Sequence, residues 1–566
     1  MDFSTLTASV AAQSLLAMDS IWDSWSVFDT ESWKSVMNFL RIFLTLGGGF
    51  LLLYEFRARR MGQPIPARTQ RTVALTFTVL AFLAYYDFFN PKVRYPEYYH
   101  RHEFFHYYLG SKYSDGVGYT RLYECAAIAE IELGRGAAVR KRELRDLREN
   151  LIKPIPDTYV LRNPERCKKH FTPEEWENFK KDVDWFYSVS RGSYWENMQK
   201  DHGYNPPPVW TMGGKFFAQF GSAGDGFFKL LSALDPLLQL GAVLMLYWAF
   251  GWKITAIATV FWGCNAPANF YWTGGAFLRM DWYFLLVASL AFAKKRMFAL
   301  SGAALMYSAL LRIFPGVLYV GWAIVIAIYW LKHRRLHPDH RRLIGGSVVA
   351  LGVLIPASII AVGGYQPYED FYKHTLRTHQ TTPLTNHMGL ETILVHNWDG
   401  RMRFTRDNHL DDPFKGWKDG RLERFKKMKP VFILIVLGLF AWTVWALRRT
   451  KLLWVAMPLG LPLLMALTNL TCYYYSVFIV AAALCAVRPT FGPALLGVSG
   501  ASQILLLKYY FVDDKYVAQS YLWFVLCLLI LYVYSRPFSK ERLLAWWHNQ
   551  PDPPDKPVRF DGMTVG

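Results

Sequence analysis

Cysteine is sparse in this 566-residue chain, and none of it is arranged for a metal. Among Cys125, Cys167, Cys264, Cys472, Cys485 and Cys527 there is no Cys-x-x-Cys pair and no Cys/His metal spacing, which argues against a structural zinc site. The last four lie in or beside apolar runs and read as small buried hydrophobes. Cys125 and Cys167 share one polar stretch and can pair if it faces an oxidising compartment. Neither a solenoid-type repeat nor a low-complexity tract occurs. The first eighteen residues lack a basic n-region, which argues against a cleaved signal peptide.

What the chain has in excess is apolar and aromatic surface. Hydrophobic residues make up 52% and aromatics 17%, and apolar windows of roughly 20 residues, the length that crosses a bilayer as a helix, recur along most of the sequence. The expected fold is an all-α polytopic membrane protein. Its net charge of +19 is therefore no nucleic-acid signature; the cations sit in short clusters that set orientation and meet anionic lipid head groups.

About thirteen transmembrane helices are expected on this basis. They lie near 36–55, 72–89, 228–251, 253–270, 276–293, 297–314, 316–331, 343–363, 430–447, 452–468, 472–487, 491–507 and 520–535. The basic residues Arg57, Arg59, Arg60, Arg68 and Arg71 place the first loop in the cytoplasm. Counting outward, Lys294–Arg296, Lys332–Arg342, Arg448–Arg449 and the tail from Arg536 fall on the same side. One cluster does not fit, since Arg424, Lys426, Lys427 and Lys429 abut a span from outside. The divisions that follow are an interfacial N-terminal segment (1–35), two spans (36–89), a long extracytoplasmic first loop of surface helices (90–226), spans (227–363), a second extracytoplasmic loop (364–429), spans (430–535) and a cytoplasmic tail (536–566).

Within the first loop, Leu122, Ala126, Ala129 and Leu133 repeat at helical spacing, 139–151 reads as a charged helix, and Thr172-Pro-Glu-Glu-Trp176 is a capping signature. The loop opens on Tyr99-His-Arg-His-Glu-Phe-Phe-His-Tyr-Tyr-Leu109. Residues four apart share a helix face, so His102 and His106 point the same way with Glu103 beside them. Two chemistries suit such a cluster at a membrane surface. His102-Glu-Phe-Phe-His106 fits H-E-x-x-H, in which two imidazoles bind zinc and the glutamate activates water; a third ligand is then required, with Glu124 and Glu130 at plausible distances.

The second chemistry comes from the layout of the whole chain: a span, an acidic residue at the start of a long external loop of surface helices, then many spans. This resembles the GT-C superfamily of membrane glycosyltransferases, closest to the GT87-like branch of polyprenyl-phosphate-sugar-dependent enzymes typified by bacterial mannosyl- and arabinosyltransferases. The resemblance is carried by Glu103-Phe-Phe-His-Tyr-Tyr-Leu-Gly-Ser-Lys-Tyr113 with Gly118-Tyr-Thr-Arg-Leu-Tyr123, by Gly274-Gly-Ala-Phe-Leu-Arg-Met-Asp-Trp-Tyr-Phe284, by the Lys294-Lys-Arg296 turn and by Leu311-Arg-Ile-Phe-Pro315. It covers about half of the chain, and Glu103 stands where the family more often has Asp.

The resemblance implies a hexosyl- or pentosyltransferase with Glu103 as general base and Asp87 as the competing base. Its partners would be a polyprenyl-phosphate sugar donor, membrane lipids and an acceptor glycan, lipid or protein, with no nucleic acid. It implies no cofactor, although the histidine pair leaves room for a divalent metal. The leaving phosphate needs cations, best supplied by Arg forks. Arg279 and Arg312, at the outer ends of expected spans, suit that role, with Arg101, His102, His106, Asp281 and Tyr474 as further substrate contacts. Each also has a plainer reading: snorkelling for the arginines, a local Arg279–Asp281 salt bridge, and an aromatic belt for Tyr473–Tyr475. The 364–429 loop, with His374, His379, His387 and His396, is a candidate lid. The implied location is a bacterial inner (plasma) membrane with an extracytoplasmic active site. A transporter or a non-catalytic subunit of a membrane complex is the third class; the lack of repeat symmetry and of mid-span charges weighs against a transporter.

Overall fold

The computed structural model describes residues 30–90, 98–190, 192–378, 382–410, 412–535, 538–548 and 550–551, and the backbone of 559–560 and 563–564. Most of the N-terminal segment, His379 and part of the C-terminal tail lie outside these residues.

The chain is mostly helical with little sheet. Among the described residues, seven helices are long and apolar enough to cross a membrane: Ser32–Arg60, Asp225–Phe250, Phe314–His333, Pro338–Ala361, Lys415–Leu447, Phe491–Lys508 and Val512–Tyr534. Helices answer this composition because they satisfy every backbone group internally. The other expected spans coincide with helices that are shorter or less apolar, such as Trp252–Cys264, Asp281–Lys294 and Phe298–Leu311. A 14-residue helix rises only about 21 Å, short of the roughly 30 Å hydrocarbon layer. Several of these segments are interior. Every residue from Ile254 to Cys264 is buried, as is nearly all of Cys472–Ala486, which is wound as a 3₁₀ helix. Surrounded by protein, they do not have to match the lipid's thickness. Length and composition thus establish seven candidate spans among the described residues.

Close packing of the helices relies on small residues. The Phe298–Leu311 and Pro338–Ala361 helices approach through Gly302 and Gly346, where an added Cβ would overlap the carbonyl oxygens of Leu343 and Ala299 respectively. The Lys415–Leu447 helix runs unbroken through Pro430, so the expected start of a span near 430 falls within a helix that begins at Lys415.

The first polar loop folds around the buried helix Arg101–Lys112, which packs on Pro208–Ala218, Leu122–Glu130 and Pro173–Val189. The Thr172 capping box forms as expected: the Thr172 hydroxyl accepts from the Glu175 amide, and the Glu175 carboxylate accepts from the Thr172 amide. Cys125 and Cys167 are disulfide-bonded. The charged helix expected over 139–151 is instead an antiparallel hairpin, with Glu143–Asp146 paired to Leu151–Pro154. Burial of two carboxylates accounts for the difference. Arg142 reaches Glu130 at 2.5 Å and Arg148 reaches Glu124 at 2.7 Å, and both acids are almost fully buried. Asn150 makes the turn with a positive φ of 60°. The second loop is tied down by a short strand, His387–Met388, paired with Leu470–Thr471 just before the tyrosine triplet.

Candidate functional site

The Arg101–Lys112 helix is fixed at its start by a backbone bond from the His100 amide to the Gly275 carbonyl, 2.7 Å. Gly275 has φ +69°, and a Cβ there would lie 2.8 Å from the Tyr98 carbonyl oxygen, so this contact between loop and bundle requires glycine. The chain then turns through Leu278, at φ +47°, and presents Arg279. Three bonds hold the turn. The buried Asp235 carboxylate accepts from the amides of Arg279 (2.9 Å) and Met280 (3.0 Å), and the Trp210 indole donates to the Leu278 carbonyl at 2.8 Å.

So positioned, Arg279 faces Glu103, with Nε 3.4 Å from Oε2, and donates to the Tyr107 hydroxyl. Tyr107 in turn donates to Asn205 at 2.8 Å. Burial pushes the Tyr107 phenol well above its ordinary pKa; Arg279 and Arg312 oppose that shift and Glu103 reinforces it. The rings of Tyr107 and Tyr473 flank the Arg279 guanidinium at 4.6 and 5.6 Å. Arg312 interacts electrostatically with Tyr474, Arg279, Tyr107 and Asp281, and its guanidinium lies 5.8 Å from the Trp210 ring. Its Nη1 donates to the Leu311 carbonyl at 2.7 Å. Tyr474 packs between Phe314 and Trp282, at ring distances of 4.8 and 5.9 Å.

Two atoms of this cluster are buried and left without hydrogen-bond partners among the described residues. They are Oε2 of Glu103, an acceptor in ion-pair but not hydrogen-bond contact with Arg279, and Nη2 of Arg312, a donor. An unmet buried polar atom costs about 1–3 kcal/mol, so both are poised for a ligand that supplies a donor and an anionic oxygen. The cluster is closely packed. The nearby cavities, one bordered by Asp235, Gly275 and Met280 and one by Asn205 and His374, hold about 10 Å³ each.

Of the residues singled out in the sequence, Glu103, Arg279, Arg312, Asp281 and Tyr474 come together here. The Arg279–Asp281 salt bridge does not form among the described residues; Arg279 pairs with Glu103, and Asp281, the first residue of its helix, accepts from the Trp282 amide at 2.7 Å. Arg101 turns away and donates to the Val189 carbonyl at 2.6 Å. Asp87 is held by Arg41 at 2.6 Å, in a turn where Asp87, Phe88 and Phe89 all have positive φ.

His102 and His106 form a separate group on the same helix. His102 Nε2 lies 2.8 Å from Asp201. Burial disfavours its charged form, but the Asp201 carboxylate outweighs this and the pKa is raised. His106 Nδ1 lies 2.7 Å from the His102 carbonyl and so donates, while Nε2 accepts from the Tyr123 hydroxyl at 2.7 Å. Tyr123 in turn accepts from the Gly203 amide. Burial, with His102 alongside, lowers the His106 pKa to about 4.

One potential ligand atom each from His102, His106 and Asp201 lies within 4.8 Å of the others, so Asp201 is the third donor rather than Glu124 or Glu130, which pair with Arg148 and Arg142. The set fits zinc poorly. A metal on His106 would have to displace the Tyr123 hydroxyl from the only ring nitrogen that accepts, and Glu103, the expected water activator, is turned to Arg279 instead.

The site residues not foreseen were Tyr107, Asp235, Asn205 and Trp210. Tyr107 carried a signal, lying four residues after Glu103 and so on its face of the helix. Asp235 carried another, as a carboxylate within an apolar run. Compared with known protein families, curated proteins and solved structures, the chain matches none. What fold and site define is a class: an all-α membrane protein with a buried Glu–Arg–Tyr cluster under a folded polar loop.

Proposed function

We propose that this chain is an integral-membrane glycosyltransferase of the GT-C type, moving a hexose or pentose from a polyprenyl-phosphate donor to an acceptor glycan, lipid or protein outside the bacterial inner membrane. The observation that carries this reading is the pair of buried atoms beside Arg279, Glu103 Oε2 and Arg312 Nη2, that make no hydrogen bond among the described residues. Glu103 Oε2 accepts the proton of the acceptor hydroxyl. The freed oxygen attacks the sugar's anomeric carbon, and the bond from that carbon to the phosphate oxygen breaks. The electron pair stays on polyprenyl phosphate, whose charge is met by Arg279 and by Nη2 of Arg312. Tyr107 and Asp235 are positioning residues, one holding the guanidinium of Arg279 and the other its backbone.

Two further features support it. A lipid-linked sugar keeps its tail in the bilayer, and the cluster joins the ends of apolar helices to the polar loop. The Cys125–Cys167 disulfide in that loop suits an oxidising compartment. Because the neighbouring cavities hold so little, donor binding must part the Asn205 and His374 walls. The test is transfer of labelled sugar from polyprenyl-phosphate sugar by protein purified into nanodiscs. Glu103→Gln should lower the rate about 10²–10⁴-fold; full activity in that variant would remove Glu103 as the base.

A further inference from the structure

A second polar cavity, of about 310 Å³, opens between the second loop and the outer end of the Lys415–Leu447 helix. Its lining includes His396, Asn397, Trp417, Arg421, Arg424 and Lys427, with Glu423 and Asp513 as the acids. Arg421 is 9% exposed, and among the described residues its guanidinium makes no hydrogen bond and no ion pair. The Trp417 ring supports it at 4.8 Å, and the carboxylates of Glu391 and Asp513 act on it electrostatically without bonding to it. The acids are otherwise engaged, since Glu423 pairs with Lys427 at 2.7 Å and Asp513 accepts from the Met402 amide at 2.9 Å. Arg424, one turn on from Arg421, donates to the His396 carbonyl at 2.8 Å and has no ion pair among the described residues. Two guanidinium groups therefore share one cavity with no carboxylate bound to either.

We infer that this cavity is an anion site for a phosphate monoester or diester, held by Arg421 and Arg424. Burying a guanidinium with no counter-ion bonded to it is costly, and a phosphate offsets that cost through paired N–H···O bonds. The volume, at the small end of ligand pockets, admits a phosphate with part of the group it esterifies. The position agrees with this. The apolar run of the helix begins at Val431, so at 1.5 Å per residue Arg424 stands about 10 Å and Arg421 about 15 Å beyond it, at head-group depth and just above. Arg424 and Lys427, two of the cations that do not fit the positive-inside pattern, then belong to a ligand site rather than to topology. This site shares no residue with the Glu103 cluster.

The test uses full-length protein. Inorganic phosphate is titrated into detergent-purified protein by calorimetry, and retention of phosphatidic acid against phosphatidylcholine is measured by native mass spectrometry from mixed nanodiscs. Binding of inorganic phosphate identifies a soluble phosphate group as the source, and selective retention of phosphatidic acid identifies a lipid. In either case Arg421→Gln should weaken binding at least about tenfold, while Lys426→Gln, outside the lining, should not. Arg424→Gln gives the same readout should Arg421→Gln fail to fold. Binding of neither probe by the wild type, or undiminished binding in the Arg421 or Arg424 variant, overturns the inference.

Discussion

Acidification should destabilise this protein through one imidazole. His106 is buried, its pKa is held at about 4, and an unfolded histidine titrates near 6.5. Between those values the unfolded chain binds the proton and the folded chain does not. The stability this group contributes is therefore present above about pH 6.5 and falls as the pH drops. Worked through, the loss is about 2 kcal/mol between pH 7 and pH 5 and approaches about 3 kcal/mol below pH 4. His102 has the opposite sign. Its pKa is raised, so its pair with Asp201 is fully stabilising below about pH 6.5 and weakens as pH rises through the folded value. The variant His106→Leu separates the two. It should be less stable than wild type at pH 7, because Tyr123 loses its acceptor and the His102 carbonyl its donor. It should nevertheless lose about 2 kcal/mol less than wild type on going to pH 5. The measurement is the unfolding free energy in detergent at both pH values. Equal pH slopes for wild type and variant would refute a neutral, buried His106.

Three further outcomes are expected. Asp235→Ala strips the acceptor from the Arg279 and Met280 amides and should cost about 2–4 kcal/mol in unfolding free energy, with loss of sugar transfer; Asp235→Asn, which keeps an acceptor oxygen, should recover part of both. Arg312→Met removes a buried donor that has no partner, so thermal stability should hold or rise while transfer falls at least tenfold; a loss of stability without loss of transfer would make Arg312 structural. Reducing Cys125–Cys167, which closes a loop of 42 residues, should lower stability by about 4 kcal/mol on the chain-entropy account, read as a shift in unfolding midpoint with and without reductant.

Much of this architecture was legible in the pattern of residues. Apolar windows of bilayer length announce helices because no other backbone arrangement survives in hydrocarbon, and Thr172-Pro173-x-Glu175 announces a helix start because the capping bonds are local. The pairing of Glu103 with Arg279, 176 positions apart, was not legible as a contact. The apolar pattern led only to the expectation that both residues lie near one membrane surface; the Asp235-held turn and the Gly275 contact bring them together. Residues 139–151 show the limit from the other side. Their charges alternate as on a solvated helix, yet they form a hairpin because Glu124 and Glu130, buried from below, need Arg148 and Arg142. The fate of the H-E-x-x-H spacing was likewise decided elsewhere, by Tyr123 on one imidazole and Arg279 on the glutamate. Local chemistry and hydrophobicity are written in neighbouring residues and can be read from them. Which buried charge meets which partner depends on contacts between distant segments, and those exist only once the chain has packed.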